Sequence, residues 1–455
     1  MELEKLIDQV NSIVWGPIML ILLFGTHIFL TIRLGFIQRY IGLGIKLSVS
    51  REEGKGDISQ FAALATALAA TIGTGNVVGV ATAISIGGPG AVLWMWLTGV
   101  FGIATKYAES LLSIKFREID KNGQIVGGPM FVLERGLGMK WLGVLFAIFT
   151  VIASFGIGNM VQANSISHLM KDTYGIEPVY TGIALAILTA LVIIGGIKSI
   201  AKVSEALVPF MAVFYVISLL VIIVLTWEKI PQTLYLIVTS AFTGQSAIGG
   251  FAGAGVREAI RAGVARGLFS NESGLGSAPI VAAAAKTKNA VRQALVSSTG
   301  TFWDTVIICA LTGIAIINTE SWTLGLKGAE ITNQTFSILG GWGSILLSIS
   351  LLLFVFSTIL GWSYYGEKAL EYLLGVKSIM AFRILWVIFV IIGSLTSLNV
   401  VWGFADIANG LMAIPNLISL LWLHSYIKKE TDKFLSKEKI DEEDPELVKI
   451  EVFDK

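Results

Sequence analysis

The stretch Thr71–Gly79 reads Thr-Ile-Gly-Thr-Gly-Asn-Val-Val-Gly and lies in the middle of an apolar run that begins near Ile58 and ends near Gly90. Glycine and threonine at this density break a membrane helix, and broken backbone inside a bilayer persists only where it is buried in protein or lines a cavity. The break frees main-chain N–H groups at one half-helix end and C=O groups at the other, which suit an anion and a cation respectively. The chemistry on offer is recognition of a small zwitterion. Thr74, Gly75 and Asn76 open the second half-helix and present N–H groups to a carboxylate, with Gly75 bringing no Cβ to hold the ligand away. Thr71 closes the first half-helix and presents carbonyls to an ammonium, as does a second glycine-rich stretch, Ser273-Gly274-Leu275-Gly276. Gly79, one turn past Gly75, leaves room for a small ligand. Close helix packing alone also selects such glycines; a second cluster in a corresponding position is what favours a binding site.

Further polar residues sit at comparable depth. Asn159, Gln162, Asn164 and His168 interrupt an apolar run. Gln162 lies deepest and has a long reach, so it either touches the ligand or bonds a neighbouring helix, and both readings stay open. Ser357 and Thr358 offer adjacent hydroxyls, a type of pair that commonly bonds back to its own helix. Trp362, one turn from Thr358 on the same face, either walls the pocket against larger side chains or is ordinary packing. Asp304, Glu272, Arg266 and Asp406 fall within or near apolar segments, where charges are costly and normally paired; they read as gating or structural ion pairs. Lys106 and Glu109, three residues apart, are expected to pair with each other. No constellation of acids, histidines or cysteines points to an enzyme. His27, His168 and His424 are scattered, and the single cysteine, Cys309, excludes an intrachain disulfide. Gly73-Thr74-Gly75 lacks the lysine of a phosphate loop, which argues against ATP-driven transport.

The elements that must position these residues are membrane helices. Of the 455 residues, 54% are hydrophobic and only 14% charged, well under the roughly 25% of soluble domains, and the mean hydropathy is +0.76. Net charge is +1 and no basic patch with interleaved aromatics suggests nucleic acid. The expected partners are a small-molecule substrate and membrane lipid; no protein partner is indicated. Met1–Gln9 is mixed and acidic, so no cleavable signal is expected. About eleven stretches approach the ~20 residues a bilayer requires: Ile13–Ile32, the broken Ile58–Gly87, Ala91–Ile114, Trp141–Met170, Tyr180–Gly196, Val203–Thr226, one crossing within Leu234–Lys286, then Ala294–Ile317, Trp342–Tyr365, Ala381–Leu398 and Trp402–Tyr426. Lysines and arginines between these stretches, among them Arg33, Arg39, Lys46, Lys115, Arg117, Lys198, Lys202, Lys286, Arg292 and Lys428, all fall on one side if the N-terminus is outside and the C-terminus cytoplasmic. That orientation needs the crossing before Lys286 to start near Arg261, which puts its middle, and the second break, at Ser273–Gly276. Leu234–Gly255 then becomes a re-entrant or surface segment; a break at Gly244–Gly250 is the alternative.

The chain thus divides into an extra N-terminal span with its loop (1–57), a first five-helix repeat (58–226), an extracellular re-entrant or surface segment (227–260), a second five-helix repeat (261–427) and a charged tail (428–455) expected to extend into solvent. Each repeat opens with a discontinuous helix, and the two have opposite starting sides, which is an inverted repeat about an axis in the membrane plane.

Two long blocks carry a resemblance. Gly88-Pro89-Gly90-Ala91-Val92-Leu93-Trp94-Met95-Trp96-Leu97, followed by Gly102-Ile103-Ala104-Thr105-Lys106-Tyr107-Ala108-Glu109, is similar to the signature of the alanine/glycine:cation symporter family. Ala265–Pro279 resembles a second block of that family and Ala241–Gly253 a third. The resemblance implies an all-α polytopic protein with a LeuT-type fold in the cell membrane, and sodium-driven uptake of alanine or glycine. It also implies a Na⁺ site between the first broken helix and the third span of the second repeat. The residues there are Ala69 and Ile72 for carbonyls, Phe354 for a carbonyl, and Ser357 and Thr358 for hydroxyls, with Thr358 and Trp362 also bordering the substrate. Rival readings are a proton-coupled symporter, a non-transporting amino-acid sensor, a channel, which would need polar stripes or acidic rings, and a membrane enzyme.

Overall fold

The computed structural model describes residues 2–50, 54–243, 255–396, 398–435, 439–448 and 453. Over these the chain is mostly helical. Helices α1 (Glu2–Val14), α2 (Pro17–Arg33) and α3 (Ile41–Ser48) precede α4 (Gln60–Thr71) and α5 (Gly75–Gly87). α6 (Gly90–Lys115) leads into a small antiparallel hairpin, β1 (Glu118–Ile119) and β2 (Ile125–Val126), and a helical turn over 129–136. α7 (Lys140–Tyr174), α8 (Pro178–Ile193), α9 (Gly196–Leu225) and α10 (Ile230–Thr243) follow. The second half holds α11 (Val256–Asn271), α12 (Pro279–Ala282), α13 (Ala290–Asn318), α14 (Ala329–Phe336), α15 (Gly341–Leu374), α16 (Ile379–Leu395), α17 (Leu398–Trp422) and α18 (His424–Phe434).

Both breaks fall where glycine density foretold them. α4 starts on Ser59, whose hydroxyl accepts the Ala62 N–H at 2.9 Å, runs through alanine and leucine, which favour helix, and stops at Ile72, which is extended with ψ 92°. α5 resumes after a 50° bend, its first turn a π-turn over Gly75–Gly79. α11 ends because Glu272 takes a left-handed φ of 56°, and Gly274 and Gly276 follow at 89° and 82°, a region glycine enters without strain. The alternative break at Gly244–Gly250 lies outside the described residues. Before it, α10 lies against α6, with Trp94 Nε1 donating to the Ala241 carbonyl at 3.2 Å and the Trp94 ring edge-on to Phe242 at 5.9 Å, while Tyr235 is exposed.

Among the described residues α7, α9, α13, α15 and the helix ending at Leu395 are each long and apolar enough to cross a membrane; α1–α2, α4–α5 and the pair 406–434 pass as bent pairs. α6, α8 and α11 do not pass, for physical reasons. α6 carries Lys106 and Glu109, which are buried in protein instead of facing lipid, α11 carries Arg257, Glu258, Arg261 and Arg266, and α8 has only 16 residues.

The helices sort into two groups. α5, α6, α11 and α13 lie against one another, with Gly263 and Gly267 letting α11 meet the α6 backbone around Ala91 and Met95. α7, α8, α15, α16 and α17 form the second group, and α9 leans on both α4 and α15.

The described part of the charged tail does not extend into solvent. α18 returns along α6, where Tyr107 Oη and Thr431 Oγ1 are 3.0 Å apart. Beyond it, Ile440, Asp444, Leu447 and Phe453 are buried. The expectation failed because the tail's acids have buried cations to meet, chiefly Lys115 at the end of α6, and because its sparse apolar residues find a core.

Candidate functional site

At the first break the freed polar groups are partly used by the chain itself. Asn76 folds back so that its Oδ1 accepts the Gly73 N–H at 2.9 Å. Its Nδ2 donates to Asp304 Oδ1 at 2.7 Å. Asp304 Oδ2 accepts the hydroxyls of Ser270 at 2.9 Å and Thr305 at 2.6 Å, so Asn76 is tied to α13 and, through Ser270, to α11. The Thr74 N–H points to Gln162 Oε1 at 3.3 Å, and Gln162 Nε2 donates to the Ile157 carbonyl at 2.9 Å. Gln162 therefore reaches the first break. Thr74 Oγ1 is fully buried and has no hydrogen-bond partner, which leaves a donor and acceptor free for a ligand at this spot.

Glycine roles differ from one position to the next. A Cβ on Gly73 would lie 2.5 Å from Thr358 Oγ1 and 3.2 Å from Gln162 Oε1, so Gly73 lets α15 and α7 close on the break. A Cβ on Gly75 would meet Ser270 Cα at 3.1 Å, so its bare face is pressed on α11. Gly79 has only the Thr74 carbonyl within reach, at 3.9 Å.

The proposed cation ligands converge in part. Thr358 Oγ1 lies 3.0 Å from the Ala69 carbonyl and 3.4 Å from that of Ile72, which brings a hydroxyl of α15 to two carbonyls at the end of α4. Ser357 instead donates to the Phe354 carbonyl of its own helix at 2.9 Å. Ala69, Ile72, Thr358 and Phe354 are all buried. Carbonyl and hydroxyl oxygens alone form a hard donor set, which fits an alkali cation and not a transition metal.

The second break is held from several sides. Glu272 Oε1 accepts Trp362 Nε1 at 2.8 Å and its Oε2 accepts the Ser277 hydroxyl at 2.5 Å. Trp362 is fully buried with its Cβ against Gly158, where an added Cβ would come within 2.1 Å. Ser273 Oγ lies 3.0 Å from Thr301 Oγ1. Gly274 faces Leu23, His27 and Leu417, and Gly276 faces Pro129, Phe146 and Asn416. Leu275 is fully buried. Of this break, Glu272 is the residue that reaches Trp362, and Ser270 just before it is the one that meets the first break. The Ser273–Gly276 stretch leans on α2, α6 and α17.

Lys106 and Glu109 do not pair. Glu109 Oε1 accepts the Gly276 N–H at 3.0 Å and Asn416 Nδ2 at 2.6 Å, while Asn416 Nδ2 also reaches the Gly274 carbonyl at 2.9 Å. Lys106 Nζ is buried without a hydrogen-bond partner. The unwound main chain offers Glu109 an N–H in a dry interior, and that outcompetes a neighbour on its own helix. Arg266 meets Asp406 across α11 and α17 in a bidentate pair at 3.0 and 2.9 Å; Asp304 and Glu272, expected in ion pairs as well, are instead held by neutral donors. Of the other polar residues in α7, Asn159 and Asn164 bond carbonyls of α16.

Three π-turns border the site, Gly75–Gly79, Ser154–Met160 and Phe302–Cys309. They place Asn76, Gly158 and Asp304, and π-turns concentrate at functional sites. Sequence reading missed them, and it missed Asp304 as the partner of Asn76 and Ser270 as the partner of Asp304; the one signal was polar residues in apolar runs.

On the face where α6 ends, the site is sealed. The Asp57 N–H donates to the Ala284 carbonyl at 2.8 Å and the Lys286 N–H to that of Ile58 at 2.8 Å. Arg117 Nη1 donates to the Ala283 and Ala285 carbonyls at 2.9 and 3.0 Å. Burial lowers the Arg117 guanidinium to about 10 against the opposing charge of Asp57, and burial raises Asp57 while the Ile125 N–H opposes it.

Residues 1–449 match the model of the sodium:alanine symporter family. An uncharacterized transporter of Haemophilus influenzae is 51% identical over 454 residues, 98% of this chain and 100% of that one. The sodium/alanine symporter AgcS of Methanococcus maripaludis is 51% identical over 446 residues, 95% of this chain and 98% of its own. The probable sodium/glutamine symporter GlnT of Bacillus subtilis is 37% identical over 433 residues, 93% of this chain and 89% of its own. Among solved structures, MhsT in complex with L-phenylalanine superposes with a TM-score of 0.60 over 82% of this chain and 90% of that chain, at 15% identity, a likeness of fold alone.

Proposed function

The chain belongs to the sodium:alanine symporter family, and from that premise we propose that it takes up alanine, glycine or both together with Na⁺ by alternating access. It is a multi-pass membrane transporter, not an enzyme. Its two broken helices support a LeuT-type inverted repeat of eleven crossings, in which α4–α5 through α9 correspond to α11–α12 through α17 and α1–α2 stand outside the repeat. The loop charges support an outside N-terminus and a cytoplasmic C-terminus.

The observation that carries the reading is the meeting of Thr358 Oγ1 with the Ala69 and Ile72 carbonyls, 3.0 and 3.4 Å away. These atoms sit at the end of α4, immediately before the turn that holds Thr74. In this proposal Na⁺ binds among Ala69, Ile72, Phe354, Ser357 and Thr358. The substrate carboxylate docks on Thr74, Gly75 and Asn76 near Gln162, its ammonium meets carbonyls of Thr71 and the Ser273–Gly276 stretch, and Gly79 and Trp362 limit its size. An ion that fixes the end of α4 fixes the N–H groups two residues on, so ion and substrate each favour the other by the same factor.

Alanine uptake into proteoliposomes should require an inward Na⁺ gradient. Uptake that ignores Na⁺ and follows a pH gradient would favour the proton-coupled alternative, and Na⁺-dependent binding without flux would favour a sensor.

A further inference from the structure

On the face where α6 ends, residues after α18 touch both helix groups. Asp444, fully buried, accepts Lys115 Nζ of α6 at 2.8 Å, and its own N–H donates to the Lys288 carbonyl ahead of α13 at 2.9 Å. Asn289 Nδ2, at the α13 cap, donates to the carbonyls of Ile440 and Glu442 at 2.9 and 3.0 Å. Asp441 pairs with Arg292. Lys115 also meets Glu446 at 2.5 Å and Glu430 of α18 at 3.0 Å. These contacts hold the group built on α6 and α13. Phe453 holds the other. Its N–H donates to the Ile119 carbonyl at 2.7 Å. Its ring stacks on Tyr372 of α15, 5.8 Å between centroids and 6° from parallel, and meets Phe131 edge-on at 5.2 Å.

We propose that residues 439–448 together with Phe453 are a latch that locks the two helix groups together on this face and must release before the face can open. The geometry is more than a tail resting on a surface. Its anchors are a buried carboxylate, a cap asparagine that gives its amide to the tail's carbonyls, and an aromatic ring packed against a touching pair of rings, Phe131 and Tyr372, from two separate segments. The seal beneath it, made by Arg117, Asp57 and the β1–β2 hairpin, joins the same groups, since Lys368 of α15 donates to Gln124 at 3.0 Å while Arg117 bonds Ala283 and Ala285. Phe453 lies on β1 of that seal. A rocking motion of one group against the other therefore shears the latch, and any factor that competes for Lys115 or for the Phe131–Tyr372 slot biases the transporter toward opening on this side. On the orientation proposed above this is the cytoplasmic side, and the inference rests on alternating access as the mode of transport.

The test uses hydrogen–deuterium exchange on the full chain, on Phe453→Ala with Asp444→Asn, and on a chain ending at residue 435. Exchange is followed in segments 55–58, 118–126 and 283–286, with alanine binding measured in Na⁺ on the same samples. A latch predicts about tenfold faster exchange in these three segments, with affinity in Na⁺ changed less than about threefold. Unchanged exchange in the double variant overturns the latch. So does faster exchange spread evenly over α7, α8 and α16, which marks a tail that only supports the fold. If the intact protein itself shows no Na⁺-dependent binding, the symport reading fails while the exchange result still decides the latch.

Discussion

Thr358 and Ser357 are adjacent hydroxyls with opposite employment, and replacing them separately should separate their effects. Thr358 Oγ1 is 3.0 Å from the Ala69 carbonyl and 3.4 Å from the Ile72 carbonyl. Thr358→Val keeps the shape, since valine fills the same buried volume, and removes one oxygen from a small set of cation ligands. The lost ion–oxygen contact is worth about 1–3 kcal/mol, the size of a hydrogen bond to a charged group. That converts to a rise of about 5- to 150-fold in the Na⁺ concentration for half-maximal alanine uptake. Thr358→Ser keeps the hydroxyl and should cost about fourfold or less by loss of one methyl, about 0.8 kcal/mol. Ser357→Ala removes a hydroxyl that already bonds the Phe354 carbonyl of its own helix at 2.9 Å, so it should shift the Na⁺ requirement by about twofold at most.

The assay is initial alanine uptake in proteoliposomes over a Na⁺ series, with alanine affinity measured at low and high Na⁺. Linkage sets a second requirement: in Thr358→Val the alanine affinity must weaken at low Na⁺ and recover at high Na⁺. Thr358→Val with an unchanged Na⁺ requirement removes this hydroxyl from the ion site. Ser357→Ala as damaging as Thr358→Val shows that the ligand set includes Ser357 after it turns from its own helix.

Three further outcomes follow from the same geometry. Glu109→Ala strands the Gly276 N–H and an Asn416 N–H, at about 2–5 kcal/mol together, and should lower both melting temperature and alanine affinity; Glu109→Gln, which keeps an acceptor, should recover most of the melting temperature. Gly158→Ala puts a Cβ within 2.1 Å of Trp362 and should abolish uptake or cost about 1–3 kcal/mol of stability by overpacking, whereas Trp362→Phe, which gives up the bond to Glu272, should admit larger neutral amino acids in competition assays. Asp406→Asn opens the bidentate pair with Arg266 and should weaken transport about tenfold, with part of that recovered by exchanging the two residues; full activity in the single variant would leave the pair without a role in the cycle.

How much of this was legible depends on what held each residue in place. The two breaks were legible because glycine and threonine in an apolar run report a local backbone preference, and backbone preference needs no tertiary context. Thr358 entered the ion site through the family resemblance and Trp362 through its spacing one turn from Thr358; the structure then separates Thr358 from Ser357 by which carbonyl each finds nearest. The π-turns at Ser154–Met160 and Phe302–Cys309 were not legible, since they arise where Gly158 yields to Trp362 and where Asp304 is drawn to Asn76 and Ser270. Lys106 and Glu109 misled because a three-residue spacing predicts a pair only on a wet helix surface.

The tail departs from its expected course for the same reason as Glu109. In both places burial decides what a charge needs, and its neighbours in sequence do not. Glu109 is held by the N–H of a helix that had to unwind, and Asp444 is held by Lys115, which ends a helix too polar to register as a membrane span by hydropathy. α6 therefore carries two kinds of charge for two tasks. Six residues before its end Glu109 holds the main chain of the second break, and at its end Lys115 holds the tail. A motion that releases Lys115 moves the helix that carries Glu109, so the latch and the second break share one rigid element, and what opens the face must also be felt by Gly276.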